Sequence, residues 1–198
     1  MSLRRGFKAE AERIAAEIRE ELNLSLDDRL EPLSLARHLC IPVFEIGDLA
    51  ALSGNAGLGD YFLIEDADSL SALTLFDGTK RTIIHNESHA PTRRVSNLAH
   101  EIAHCLLEHA PEPVLRPDGR RCWNEEAEAE ATWLAGALLV PRAGALKLAR
   151  AGLDDDLIAR HFRVSTALCR WRMNETGISW QLLRYANLRR TGGRAAAG

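Results

Sequence analysis

No stretch of this 198-residue chain approaches the roughly twenty consecutive apolar residues of a membrane-spanning helix, although 46% of its residues are hydrophobic. That absence excludes a helical membrane span and directs the apolar residues into a core, which a chain of this length can bury as one domain with a small appendage. Arg4, Arg5 and Lys8 charge the amino terminus, but no apolar segment follows them, so a secretory leader is not expected and the location expected is the cytoplasm. Cysteine is scarce and scattered: Cys40, Cys105, Cys122 and Cys169 form no Cys-x-x-Cys pair and read as reduced thiols. Gly54, Gly57 and Gly59 lack the Gly-Lys-Ser/Thr sequence and the strand-Gly-helix order of a phosphate loop, which leaves a flexible loop.

What the chain does contain is His100-Glu101-Ile102-Ala103-His104, an HExxH signature. At 3.6 residues per turn the two histidines lie about 40° apart on one helix face, one turn along, so both imidazoles can reach a single ion. Glu101 leaves the helix in a neighbouring direction. It is thereby placed beside the ion without ligating it, as a general base for the attacking water. Leu98, Ile102, Cys105 and Leu106 recur at helical spacing, no Pro or Gly interrupts Arg93 to Glu108, and Pro91 suits a first turn, so the spacing predicts a helix here. Cys105 is expected to pack in the core.

A catalytic zinc takes three protein ligands and keeps a fourth position open. The third histidine of metzincins is missing, because position 110 is Ala. His109 would point roughly 140° away from His104 on an ideal helix. A carboxylate on a following helix is the better source, and the run from Asn124 to Pro141 provides one: acidic at its start, apolar later, and ended by a proline. Its first acids complement the helix dipole and are mostly expected to be solvated. Glu130 stands where that acidic beginning gives way to Trp133, Leu134, Ala137 and Leu138, so it is the acid expected to turn toward a buried neighbour, with a metal ion offsetting the cost of burial. Glu126 and Glu128 are the next candidates.

Taken in order, His85-Asn86, the run Asn97 to His104, Glu128-Ala129-Glu130-Ala131 and the run Leu134 to Pro141 resemble the ImmA/IrrE family of bacterial zinc metallopeptidases. That family's pattern is an asparagine after a strand, an HExxH helix, and a Glu-Ala segment leading to an aliphatic helix that closes on Leu-Leu-hydrophobic-Pro. The similarity covers roughly Leu33 to Pro141 and extends toward Gly177. Thr132 stands where Asn or Asp is common, and Trp133 and Leu134 where Arg and Phe often occur.

The resemblance implies an α+β, zincin-like metallopeptidase with a small mixed or antiparallel sheet, an HExxH helix and a following Glu helix. Carried over by position, it implies one zinc per chain, held by His100, His104 and Glu130, with Glu101 as catalytic base. Another divalent first-row metal is the alternative occupant. It further implies a protein substrate, a helix-turn-helix transcriptional repressor cut to derepress stress or mobile-element genes. No repressor-type DNA-binding domain is fused ahead of the catalytic region, so the expected partner is a separate polypeptide.

Helices over Ala9 to Leu22 and Leu33 to Leu39 are expected from apolar spacing, and strands over Ile41 to Ile46, Tyr61 to Ile64, Ala72 to Phe76 and Thr82 to His85. Asp77-Gly78 marks a hairpin turn, and Thr82 to Asn86 is the expected substrate-holding edge. Residues 157–198 carry eight arginines, no lysine and one acid, Glu175, for a net of +7, against -10 over residues 1–156. Within the basic part, Leu157 to Arg172 resembles a helix-turn-helix. Arg163 occupies a turn position that often carries Gly, Ser165 can cap the second helix, and Thr166, Arg170 and Arg172 are expected on its outer surface. The expected organisation is a metallopeptidase domain over 1–152, a helical appendage over 153–190 and a flexible tail over 191–198. The competing reading is a DNA-binding regulator with a structural or sensory metal site. HExxH with a single Glu favours the enzyme, since a structural zinc normally closes its sphere with a fourth Cys or His.

Overall fold

The computed structural model describes residues 3–48, 71–110 and 124–184. Tyr61 to Ile64, the three loop glycines, Cys122 and the 191–198 tail lie outside the described residues.

Helix α1 (Phe7–Glu21) buries Phe7, Ala11, Ala15 and Ile18, a stripe of three- and four-residue spacing whose alanines allow close approach to a neighbouring helix. A short α2 (Pro32–His38) starts on Pro32, where a missing N–H goes unnoticed. Strands β1 (Val43–Glu45), β2 (Ala72–Asp77) and β3 (Lys80–His85) form a mixed sheet in the order β1-β3-β2, with β3 parallel to β1 and antiparallel to β2. The β2–β3 hairpin turns between the paired Asp77 and Lys80, and Gly78 takes the positive φ of 60° that the turn needs.

The expected edge at Thr82 to Asn86 is not an edge. β3 is bonded on both sides and buries the consecutive Ile83 and Ile84, as a central strand with both faces covered must. Among the described residues, β1 and β2 are the two edges of the sheet. After β3, the buried Asn86 makes an Asx turn: its Oδ1 accepts from Ser88 N at 2.9 Å and Ser88 Oγ at 2.6 Å. The chain then enters α3 (Pro91–Leu106), with its proline in the first turn.

Helix α4 (Glu125–Leu139) is capped by Asn124, whose side chain accepts from Ala127 N. It lies between α1 and α3 and buries Leu134, Ala137, Leu138 and Leu139 at the centre of the core. Two buried arginines donate to carbonyls at its carboxyl end, where the dipole favours cations. Arg19 Nη2 donates to Leu138 O at 2.8 Å, and Arg172 Nε to Val140 O at 3.2 Å. Burial pushes Arg19 down to about 10.

Helices α5 (Arg142–Arg150), α6 (Asp155–Phe162) and α7 (Thr166–Glu175) complete the described fold. Arg163 between α6 and α7 has φ 55°, the left-handed conformation for which glycine is the usual choice, and Ser165 Oγ accepts from Leu168 N to cap α7.

Arg172 is not on the outer surface of α7. It is 1% exposed, pairs with Glu12 of α1, and sits near the Trp133 and Trp171 rings. Trp133 and Trp171 meet edge-to-face at 5.5 Å, and a Cβ added at Gly136 would come within 2.6 Å of Trp171. The absence of a side chain at Gly136 is what lets α7 settle on α4. Ile158, Phe162, Cys169 and Met173 join the same apolar cluster as Leu134 and Ile102. Arg172→Met should therefore destabilise the protein by about 2 kcal/mol or more, since Glu12 loses its ion-pair partner, keeping only the bond from Arg142 N, and the Val140 carbonyl loses the Arg172 donor. Urea unfolding measures this, and a loss within about 0.5 kcal/mol would show the contact to be dispensable.

Candidate metal centre

The α3–α4 pair positions the site. α3 buries Leu98, Ile102 and Cys105 on its inner stripe, which leaves His100 and His104 half-buried at the side that faces the first turns of α4. There the His100 and His104 Nε2 atoms stand 3.1 Å apart, and His100 Nε2 is 3.1 Å from Glu128 Oε2. His104 Nε2 lies 3.5 Å from the other oxygen, Glu128 Oε1. The three residues can each offer one ligand atom within 4.8 Å of the others.

Tetrahedral zinc with bonds of about 2.0–2.1 Å has its ligand atoms about 3.3 Å apart, so this donor set fits such an ion in spacing as well as in type. Hydrogen bonds from His100 and then His104 hold the Glu128 carboxyl down at about 2, so it is an anion at neutral pH.

Glu130 is not brought to the histidine pair. Two residues along a helix turn the side chain by about 200°, so Glu128 and Glu130 cannot face the same point. Glu130 is buried, 2.7 Å from Arg4 Nε as an ion pair, and its Oε2 is 3.5 Å from His109 Nε2. His109 does not point away from His104 as an ideal helix requires, because the helix ends before it. Its Nδ1 lies 2.9 Å from His104 Nδ1. Burial first, then the neighbouring His104, lowers the His109 pKa.

Glu101 stays outside the ligand trio and accepts from Thr74 Oγ1 of β2 at 2.6 Å. That bond ties the candidate base to the flank of the sheet. His85 and His89 are buried ahead of α3, and neither joins the His100–His104–Glu128 group. Burial lowers the His85 pKa. Arg94 donates to the Glu87 carbonyl at 3.2 Å. Cys105 is buried, and burial pushes its thiol up.

The family model of the IrrE N-terminal-like domain, peptidase M78, matches residues 60–174, more than half of the chain and the whole of the α3–α4 site. The chain belongs to the peptidase M78 family. M78 membership makes it a metallopeptidase by family, acting on protein substrates, and agrees with a mixed sheet followed by an HExxH helix and a Glu-bearing helix. No curated protein matches the chain. None of the described helices is long and apolar enough to cross a membrane.

The candidate site brings in two residues that spacing alone did not select. Glu128 is one of three candidate acids in one short run, and choosing among them requires the rotation of α4 against α3. Thr74 sits 27 residues before Glu101 and carries no local signal at all.

Proposed function

We propose that this protein is a zinc endopeptidase that cleaves a helix-turn-helix transcriptional repressor, derepressing stress or mobile-element genes. His100, His104 and Glu128 hold the metal, and Glu101 is the general base. The observation that carries the proposal is the convergence of two Nε2 atoms and one carboxylate at tetrahedral spacing on adjacent helices. Glu130 competes for the third position, and Glu128 is favoured because Glu130 is engaged by Arg4 on the other side of α4.

When bound, the metal supplies Lewis-acid polarisation of the scissile carbonyl and lowers the pKa of the attacking water toward about 7. Glu101, oriented by the Thr74 hydroxyl, takes a proton from that water and delivers it to the leaving amine. The repressor substrate rests on the family resemblance, and so does the intracellular setting it requires.

The rival reading, sequence-specific DNA binding through α7, is weakened by two contacts. Arg172 is buried, and Arg170 pairs with Asp155 and Asp156 of α6. Phosphate contacts need cations that are not already neutralised.

Co-expression with a repressor-like protein encoded beside this gene, followed by intact-mass analysis, tests the proposal. Two fragments whose masses add up to the repressor plus one water are expected. A repressor that stays whole beside the metal-loaded protein would refute the assigned substrate.

A further inference from the structure

We propose that the pocket where the end of α2, the β2–β3 hairpin and the end of α3 meet binds a small amphipathic anion. Its headgroup lies at Lys80 and Arg81 and its apolar part against Leu39, Ile41 and Leu106. The pocket has a volume of about 530 Å³, within the range of small-molecule sites. Three separate parts of the chain wall it: the run that leaves α2 and enters β1, the run that turns out of the hairpin into β3, and the last turn of α3. None of His100, Glu101, His104 and Glu128 lines it, so the metal centre does not account for it.

The lining is divided in character. Leu39, Ile41 and Leu106 are half-buried and packed against the hydrophobic core, which gives one wall a fixed apolar surface. Lys80 and Arg81 bring two positive charges to the other, with the hydroxyl-bearing Thr79 and Thr82 on either side of them, and none of the described lining residues is acidic. Positive charge in a concave surface with an apolar wall is focused there. A cation entering it is repelled, and a neutral apolar molecule leaves both charges without a counterion. An occupant with an apolar body and an anionic end matches both walls.

Arg81 is oriented before any ligand arrives. Its Nη1 donates to the Cys105 carbonyl in the last turn of α3, which fixes the plane of the guanidinium while using one of its five N–H donors. Planar, multiply donating guanidinium suits carboxylate and phosphate alike, and the adjacent Lys80 adds a second charge on a longer, freer stem.

The test uses the full chain with octanoate, octyl phosphate, octylammonium and acetate. Affinity is read by isothermal titration calorimetry. Location is read from the rate at which iodoacetamide alkylates Cys40, an exposed thiol in the pocket wall, followed by peptide mass analysis. The two anions with an octyl chain should each bind, protect Cys40, and do so at concentrations about tenfold or more below those at which octylammonium protects it. Shortening octanoate should weaken binding about fourfold for each methylene removed, so acetate should leave Cys40 unprotected. Lys80→Glu should weaken octanoate about tenfold or more and narrow the gap to octylammonium. An anion held elsewhere, on a metal ion for example, neither shields Cys40 nor depends on Lys80. Whichever octyl anion binds more tightly assigns the headgroup as carboxylate or phosphate.

Failure of both octyl anions to protect Cys40, protection by octylammonium equal to that by octanoate, or octanoate affinity unchanged in Lys80→Glu would each overturn the proposal. Arg81→Gln should weaken octanoate as well. If that variant fails to fold because the Cys105 carbonyl has lost its donor, the exposed Lys80→Glu decides by the same two readouts.

Discussion

Replacing Glu101 by glutamine is expected to lower repressor cleavage by roughly a hundredfold or more while leaving zinc content at the wild-type level. Glutamine keeps the length of the side chain and an oxygen that can still accept from the Thr74 hydroxyl, so the local packing survives. What it loses is basicity, and the reaction then has no group at that position to take the proton from water. Glu101 does not belong to the trio of candidate ligands, which is why metal content should not follow activity. Cleavage and metal content measured on one preparation of each protein separate the alternatives. A variant with full metal and full cleavage would remove Glu101 from the mechanism, and a structural or sensory site would predict that result.

The second large effect concerns the third ligand. Glu128→Ala should abolish stoichiometric zinc, as should His104→Ala, whereas Glu130→Ala should weaken binding without removing the ion at saturating zinc. The difference follows from geometry: Glu128 oxygens lie 3.1 and 3.5 Å from the two histidine nitrogens, while Glu130 is held by Arg4 and His109. Loss of a direct ligand should exceed the roughly hundredfold that outer partners command. Metal-to-protein ratios after gel filtration, together with a zinc titration of each variant, read this directly. The opposite pattern, zinc kept by Glu128→Ala and lost by Glu130→Ala, would return the ligand role to Glu130.

Much of this protein follows from local periodicity. The HExxH helix, the Asn124-capped helix after it, the hairpin at Gly78 and the Ser165 cap all depend on residues a few positions apart, and the structure has each of them close to where its spacing places it. The family was legible too, because its motif is a set of such local features in a fixed order.

Tertiary structure decided everything that required two elements to be docked. Spacing shows that Glu128 and Glu130 lie on different sides of α4, but only the rotation of α4 against α3 determines which side meets the histidines. Periodicity carried past the end of a helix misplaces His109, since the left-handed turn at Glu108 reverses the chain. A basic run reads as solvated surface, yet Arg172 is drawn inward by the carbonyl end of α4, by Glu12 and by two tryptophans. The chemistry available to this site was legible without any docking, since residue types and helical spacing are local properties. Which carboxylate serves the metal, and which residues hold its ligands in place, is set by long-range packing, because helix faces acquire a direction only when another element is packed against them.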